Sequence, residues 1–526
     1  MWNYSLIQII IRMISMQNIK TPISKNISEN MSLIRETFGV PNNFDFMIRE
    51  FEVSFEDGTA SGFLTFYDGL VNKDFINRDI MRGLIQSKSG SIKSPNLNDV
   101  VYKKLIALAP LVKDTDFSVA VEKLTFGHCV IFVDGCDCCF SADVKGWSNR
   151  GVGEPMREAS LSGPQEAFNE IIMTNLALVR KILKDSRLMA ENIPIGTRSR
   201  TPCALLYIDG VTNRDLVDDI RNRLSNIETE YIFSSSDIEM FLETKTFAPM
   251  THTLKTERPD RAAAMLAEGK VIVIVQGSPF VLVLPTTAAD LIEASEDNYV
   301  RVPEANFMRL VRLAGMALSL FLPGLFTALM LYHQEMLPTD LLLAIEASRE
   351  VVPFPLVIEL LFMEISFELI KEASIRVPSP VGSTLGIIGG LILGQAAVEA
   401  NIASPISIIV VSIAGLGTFA TPSVALSRSI SLIRFLFIIA GAVGGILGII
   451  SISFVLLSYL ASSSSFSVPF LSPLAPRNAD SPASAVLVKP IWKKEKRPEN
   501  LKTQNPVRQP HISRRWLKKG GDDIGK

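Results

Sequence analysis

Phe435–Pro476, FLFIIAGAVGGILGIISISFVLLSYLASSSSFSVPFLSPLAP, holds no Asp, Glu, Lys or Arg in 42 residues. A helix needs about 20 apolar residues to cross the hydrocarbon of a bilayer, so this stretch decides the fold class of the C-terminal half. Working upstream, Ala400–Ser427 is uncharged for 28 residues, Val377–Val398 for 22 and Leu313–Tyr332 for 20. The pattern predicts an all-α polytopic membrane domain over 301–470. Its expected spans lie at about 313–332, 377–398, 402–427 and 435–460, with a broken segment at 353–372. The whole chain is 48% hydrophobic with a mean hydropathy of +0.28, and the excess sits in this half.

One apolar stretch breaks the rule. Val351–Pro380, VVPFPLVIELLFMEISFELIKEASIRVPSP, carries Glu359, Glu364, Glu368, Lys371, Glu372 and Arg376. A charge at the bilayer centre costs about 2.5–3.5 kcal/mol on insertion scales, so such groups face a bundle interior, a partner or water. Glu364 and Glu368 are four apart and share a helix face, which Glu372 extends. Glu359 lies about 140° from Glu364 at helical pitch. In a symmetric oligomer one such face becomes a ring of carboxylates, an arrangement that selects cations. Glu359, Glu364, Glu368 and Glu372 are therefore candidate ion-pathway residues. The alternative is an interfacial helix whose acids pair with Arg349, Lys371 and Arg376 and serve structure alone. Pro353 and Pro355 break a helix just before the acidic stretch. Gly386, Gly390 and Gly394 form two overlapping GxxxG motifs, which let helices approach closely. Gln395 follows them, placed to hydrogen-bond across helices. Close packing and a gating hinge are both open readings of these glycines and prolines.

Residues 1–300 read as a soluble α/β region of two repeated subdomains. FLTFYDGLVNKDF (63–75) matches ALLYIDGVTNRDL (204–216), and EKLTFGHCVIFVDG (122–135) matches AMLAEGKVIVIVQG (264–277). Each copy reads as strand, Asp-Gly turn, helix, helix, hairpin. The expected division is an N-terminal extension 1–34, subdomain 1 at 35–145, a connecting helix region at 146–199 and subdomain 2 at 200–300. An Asp-Gly after a strand also suits a ligand loop, but turn geometry explains it. Thr256-Glu257-Arg258-Pro259-Asp260 reads as a helix start with Pro259 in its first turn and acids near the positive dipole end, or as a binding cluster.

Charge is partitioned. Residues 471–526 form a basic tail expected to be disordered; within it, 477–526 holds 13 Lys+Arg against 5 Asp+Glu, while 1–300 holds 31 against 39. A basic juxtamembrane tail reads as cytoplasmic and attracted to anionic membrane lipid. Nucleic-acid binding is the weaker reading, since Trp492 and Trp516 among the basic residues suit a lipid interface. Leu6–Ile14 is apolar but short and interrupted by Arg12, so no export signal is expected there. Cys129, Cys136, Cys138, Cys139 and Cys203 form no disulfide framework. Cys136-Asp137-Cys138-Cys139 lacks the second ligand pair of a zinc site and reads as structural thiols beside an Asp134-Gly135 hairpin turn. No phosphate loop, HExxH or GxSxG pattern occurs, so no enzyme activity, metal or cofactor is expected.

Longer motifs carry a family resemblance. His333–Pro338 (HQEMLP), Ser348–Pro355 (SREVVPFP), Glu359–Pro378 and Gly382–Val398 resemble the membrane half of the A subunit of GerA-type spore germination receptors. So do Ser404-Pro405, PFLSPLAP (469–476) and Lys496-Arg497-Pro498. In the N-terminal half Glu154-Pro155, GPQEAF (163–168), Asn175, TERPD (256–260) and Gly277–Phe280 fit as well. The resemblance covers about 35–500. Departures are Ser374 where the family has Gly, Lys371 for Arg, Asn298 for Tyr and Ser162 for a basic residue.

The resemblance implies a receptor in the inner membrane of the bacterial spore, with the N-terminal region and tail cytoplasmic. It implies work with a B subunit resembling amino-acid transporters and a C-subunit lipoprotein, nutrient germinants as triggers, and self-association into a cation channel. A stand-alone SpoVA-associated paralogue shares these motifs. A secondary transporter and a non-conducting membrane scaffold are the rival functions.

Overall fold

A computed structural model of the chain describes residues 22–55, 58–85, 97–106, 111–146, 155, 158, 162–243, 248–376, 394–476 and 487–510. Helix α1 (Ile27–Phe38) opens subdomain 1; Asn26 caps its start by accepting from Ser28 N, and Gly39 ends it at φ 64°. Five strands follow: β1 (Phe46–Phe55), β2 (Gly58–Tyr67), β3 (Leu111–Asp114), β4 (His128–Val133) and β5 (Cys139–Asp143), with α2 (Phe117–Thr125) before β4. All pair antiparallel, in the order β1-β2-β4-β5-β3. The apolar strands alternate in side-chain direction, so the sheet buries both faces. Leu64, Ile131 and Phe140 pack on the helical runs 73–85 and 97–105. Phe63, Val130 and Phe132 pack on α1 and α2.

Subdomain 2 has the same plan. Its strands are β6 (Leu188–Ile195), β7 (Thr201–Ile208), β8 (Leu254–Thr256), β9 (Val271–Val275) and β10 (Val281–Leu284), in the order β6-β7-β9-β10-β8. Gly62 pairs with Val133 in the first sheet, and Cys203 with Val275 in the second. The connecting helix α3 (Ile172–Ile182) packs on one face with α6 (Pro259–Glu268); α4 (Arg214–Ser225) and α5 (Ser235–Leu242) cover the other. The short α7 (Ala288–Ile292) follows β10. Arg180 of α3 joins the subdomains. It is buried, pairs with Asp45 at 2.6 Å, donates to Asn43 Oδ1 and Leu188 O, and stacks 4.0 Å over the Tyr67 ring.

The C-terminal half is helical: α8 (Val302–Tyr332), α9 (Thr339–Arg349), α10 (Leu356–Arg376), α11 (Pro405–Phe419) and α12 (Val424–Ser462). Two of these, α8 and α12, are long and apolar enough to cross a membrane. Asp297 anchors the start of α8 to subdomain 2 by pairing with Arg309 and Arg312.

Three expected boundaries differ. The stretch 402–427 is divided, because the helix ends at Phe419 and restarts at Val424 after Thr421-Pro422-Ser423, with Ser423 as the new cap. The stretch 353–372 is unbroken from Leu356; the prolines precede the helix and do not interrupt it. The stretch 435–460 reverses within itself. Gly445 sits at φ 57°, ψ −142°, a conformation essentially restricted to glycine. A Cβ on Gly448 would collide with Ala440 O. Eight residues along a straight helix are about 12 Å apart, so the chain doubles back at Gly445. Helix α12 is thus a hairpin of two arms, 424–444 and 446–462. Leu426 in the first arm and Leu460 in the second both join the core beneath the second sheet.

The tail follows the second arm back to subdomain 2. Ala288 N donates to Phe470 O, Asn306 and Val488 exchange two hydrogen bonds, Arg497 Nε donates to Ala267 O and Gln504 N to Val211 O. The expectation of a disordered tail therefore fails for 487–510: Val488 is tied to Asn306 of α8, and the Arg497 side chain and Gln504 amide to subdomain 2. Residues 477–486 and 511–526, Trp516 among them, lie outside the described residues.

Candidate functional site

Helix α10 starts where Pro353 and Pro355 end the preceding turn; Glu359 N already donates to Pro355 O at 3.1 Å. Its two faces differ sharply. Leu356, Glu359, Leu360, Met363 and Glu364 are buried, against Phe326 and Met330 of α8 and Val410 and Val411 of α11. Ile358, Phe362, Ile365, Leu369 and Glu372 are exposed, at spacings of four, three, four and three.

The buried acids are tied to neighbouring helices. Glu359 Oε1 accepts from Ser404 N and Ser404 Oγ, both at 2.7 Å. Ser404 is the N-cap of α11, so this carboxylate sits at the positive end of that helix dipole. Its other oxygen lies 3.7 Å from Arg349 Nε. Glu364 Oε2 accepts from Arg434 Nη1 at 2.7 Å. Arg434 Nη2 donates to Thr418 Oγ1 at 2.7 Å and to Ser319 Oγ at 3.2 Å. Four helices therefore meet at one guanidinium. Glu364 Oε1 and Arg434 Nε make no hydrogen bond among the described residues.

The remaining candidates fall elsewhere. Glu368 is half-buried and lies 3.6 Å from Lys371 in its own helix; Lys371 also reaches Ser431 Oγ at 3.3 Å. Gln395 donates to Glu399 one turn on, within its own helix, and makes no cross-helix hydrogen bond among the described residues. Gly394 has only ordinary contact, since a Cβ there would lie 3.7 Å from Ile408. Gly386, Gly390 and the side chain of Arg376 lie outside the described residues. Among the described residues, close helix approach is made at other glycines. A Cβ on Gly324 would meet Phe437 O at 2.7 Å, one on Gly441 would collide with Gly324 O, and one on Gly417 with Gly315 O.

Arg434, Ser319, Thr418 and Ser404 are the functional-site residues that the acidic stretch alone does not reveal. One signal for Arg434 exists: a charge next to 42 uncharged residues.

In the N-terminal half, TERPD is a packing element. Pro259 stands in the first turn of α6, and buried Arg258 binds Asp260, Glu158 O and Pro164 O. Arg261 pairs with Glu158. The five cysteines are free and buried, and no group of metal ligands occurs among the described residues. Burial pushes the Cys136 and Cys139 thiols up to about 12. Asp134-Gly135 forms the expected β4–β5 turn, with Gly135 at φ 79°.

Comparison with known proteins assigns the family. The model for the Bacillus/Clostridium GerA spore germination protein matches residues 32–500. Spore germination protein KA of Bacillus subtilis is 35% identical over 93% of this chain and 89% of its own length. Spore germination protein GerLA of Bacillus cereus is 31% identical over 92% of this chain and 97% of its own. The crystal structure of the N-terminal domain of the A subunit of the Bacillus megaterium spore germinant receptor GerK3 matches 51% of this chain and 97% of that one, at 27% identity and a TM-score of 0.40. With a family model spanning nearly the whole sequence, this chain belongs to the GerA spore germination protein family.

Proposed function

We propose that the chain is a germination receptor A subunit whose helical half lies in the inner membrane of the spore and which self-associates into a cation path. In this reading it senses nutrient germinants together with a transporter-like B subunit and a C-subunit lipoprotein. The N-terminal subdomains and the tail lie together on the cytoplasmic side. With the uncharged stretch 377–398 taken as a span on its sequence alone, α8, α10, that stretch, α11 and the two arms of α12 would make six crossings, an even number. Because α12 doubles back, the basic tail returns to the side of the N-terminal subdomains in this count. It also leaves Arg428 on the tail's side, as the positive-inside rule prefers.

The observation that carries the pore reading is the exposed stripe of α10. Ile358, Phe362, Ile365 and Leu369 form an apolar line on a helix whose other face is locked inside the subunit, and Glu372 ends that line. Copies arranged about an axis that this stripe faces would line a path with apolar rings and a terminal carboxylate ring. Glu368 and Glu372 then act on the ion, while Glu359 and Glu364 hold the helix. The test is reconstitution of the full chain in planar bilayers with conductance recording and mass measurement of the oligomer. Glu372→Gln should lower cation over anion selectivity without changing protein level. Substrate uptake without channel currents would make it a transporter; assembly with no flux at all would make it a scaffold.

A further inference from the structure

Subdomain 2, the start of α8 and the tail border a half-open cavity of about 420 Å³. It lies beside Ser472 and Pro473, just past the second arm of α12, and beside Arg309 in the first turns of α8. This volume is within the range of small-molecule sites, roughly 300–1,000 Å³. Seven basic side chains line it against five acidic ones.

The balance is more one-sided than that count. On the subdomain 2 wall, Lys270 pairs with Asp290 at 2.6 Å, Arg309 with Glu293 at 3.7 Å and Arg508 with Glu268 at 3.4 Å. Those charges are spent on each other. On the tail wall Lys489, Lys493, Lys494 and Lys496 form no ion pair among the described residues, and only Glu495 and Glu499 stand with them. The wall is also held in shape. Lys493 N and Lys494 N donate to Pro490 O and Ile491 O, Gln509 Nε2 donates to Ile491 O, and Arg497 is bonded to subdomain 2 and to Asn505 O. Four like charges beside one concave space make a positive field there that attracts a polyanion.

We propose that this cavity binds a phosphate-bearing anion through Lys489, Lys493, Lys494 and Lys496. The same chemistry is offered by a free phosphate compound and by an anionic phospholipid headgroup, and the position next to the ends of α8 and α12 suits either. Lysine ammonium groups serve as point-charge phosphate ligands, and the site would bridge the tail to subdomain 2.

The test uses the purified full chain with two probes. Pyrophosphate is titrated by calorimetry in detergent micelles. Phosphatidylglycerol is scored by native mass spectrometry after extraction from phosphatidylcholine bilayers with and without it. The Lys493→Gln/Lys494→Gln variant should weaken binding about tenfold or more, as charge-assisted contacts are lost. Lys25→Gln/Lys73→Gln, which removes the same charge from residues outside the cavity lining, should leave it unchanged, and Glu499→Gln should tighten it. Pyrophosphate binding without lipid retention identifies the free anion; lipid retention without pyrophosphate binding identifies the headgroup. Binding of neither probe, or equal loss in the two lysine pairs, overturns the proposal.

Discussion

Arg434 Nη1 lies 2.7 Å from Glu364 Oε2, and each side chain is 1% exposed. The pair joins α12 to α10, and the same guanidinium reaches Ser319 on α8 and Thr418 on α11. Two buried charges recover their lost hydration only from each other, so removing one partner costs about 3–5 kcal/mol, whereas replacing both costs far less. Glu364→Gln and Arg434→Gln are each expected to lower the thermal midpoint of the solubilised protein and its level in membranes. The double variant should recover much of the loss. Additive single effects would show that the two groups do not hold each other.

The glycine contacts make a second, sharply divided expectation. Gly441→Ala and Gly417→Ala drive a methyl into a facing backbone carbonyl, which no side-chain rotation relieves. Overpacking of this kind costs about 1–3 kcal/mol. At Gly444 nothing lies within 4 Å of a new Cβ, so Gly444→Ala should be neutral or stabilising by up to about 1 kcal/mol. Gly445→Ala should destabilise through its positive-φ backbone, and its methyl would also press on His333 and Tyr332 at 3.1–3.2 Å. Equal unfolding midpoints across the series would contradict the hairpin.

The glycines also show what was legible in the sequence. The layered α/β half is written in local terms: strand alternation, an Asp-Gly turn and a repeat of about 141 residues fix each sheet. The acidic helix α10 stood out because charge in an apolar stretch is costly. Its partners did not. Glu364 finds Arg434 seventy residues away, and no periodicity encodes that distance. The GxxxG spacing points to Gly386–Gly394, of which only Gly394 is among the described residues; any small residue can serve where two helices cross, and among the described glycines the tight contacts are at Gly324, Gly417 and Gly441. Hydropathy alone could not find the reversal at Gly445, because the sequence stays apolar and uncharged on both sides of it, from Phe435 to Pro476.

The cysteines test the structural-thiol reading. Only the thiolate is nucleophilic or metal-binding, and burial holds Cys136, Cys139 and Cys203 near 12, far above neutral pH. Maleimide labelling of the folded protein at pH 7 should be negligible at all five and complete after denaturation. Stoichiometric zinc in the purified protein, or rapid labelling of Cys136, would restore the metal reading.

Asp290 gives a pH dependence with a fixed sign. Burial pushes its carboxyl up, but Lys270 at 2.6 Å and the Thr287 N–H and hydroxyl at 2.7 and 2.8 Å outweigh it and hold it below the usual carboxylate range. A folded-state pKa below the unfolded value, about 3.9 for Asp, means that the unfolded chain binds the proton more readily. The stabilisation is therefore complete above about pH 4 and is lost as pH falls through the folded value. Neighbouring Glu268 acts in the opposite sense: burial pushes its carboxyl up, so acidification relieves a penalty there. Asp290→Asn should destabilise the protein at neutral pH, by stranding buried Lys270, and flatten the acid limb of the midpoint against pH. Glu268→Gln should stabilise at neutral pH and steepen that limb. An unchanged limb in Asp290→Asn would show that the carboxylate is not the group whose protonation loosens this corner of subdomain 2.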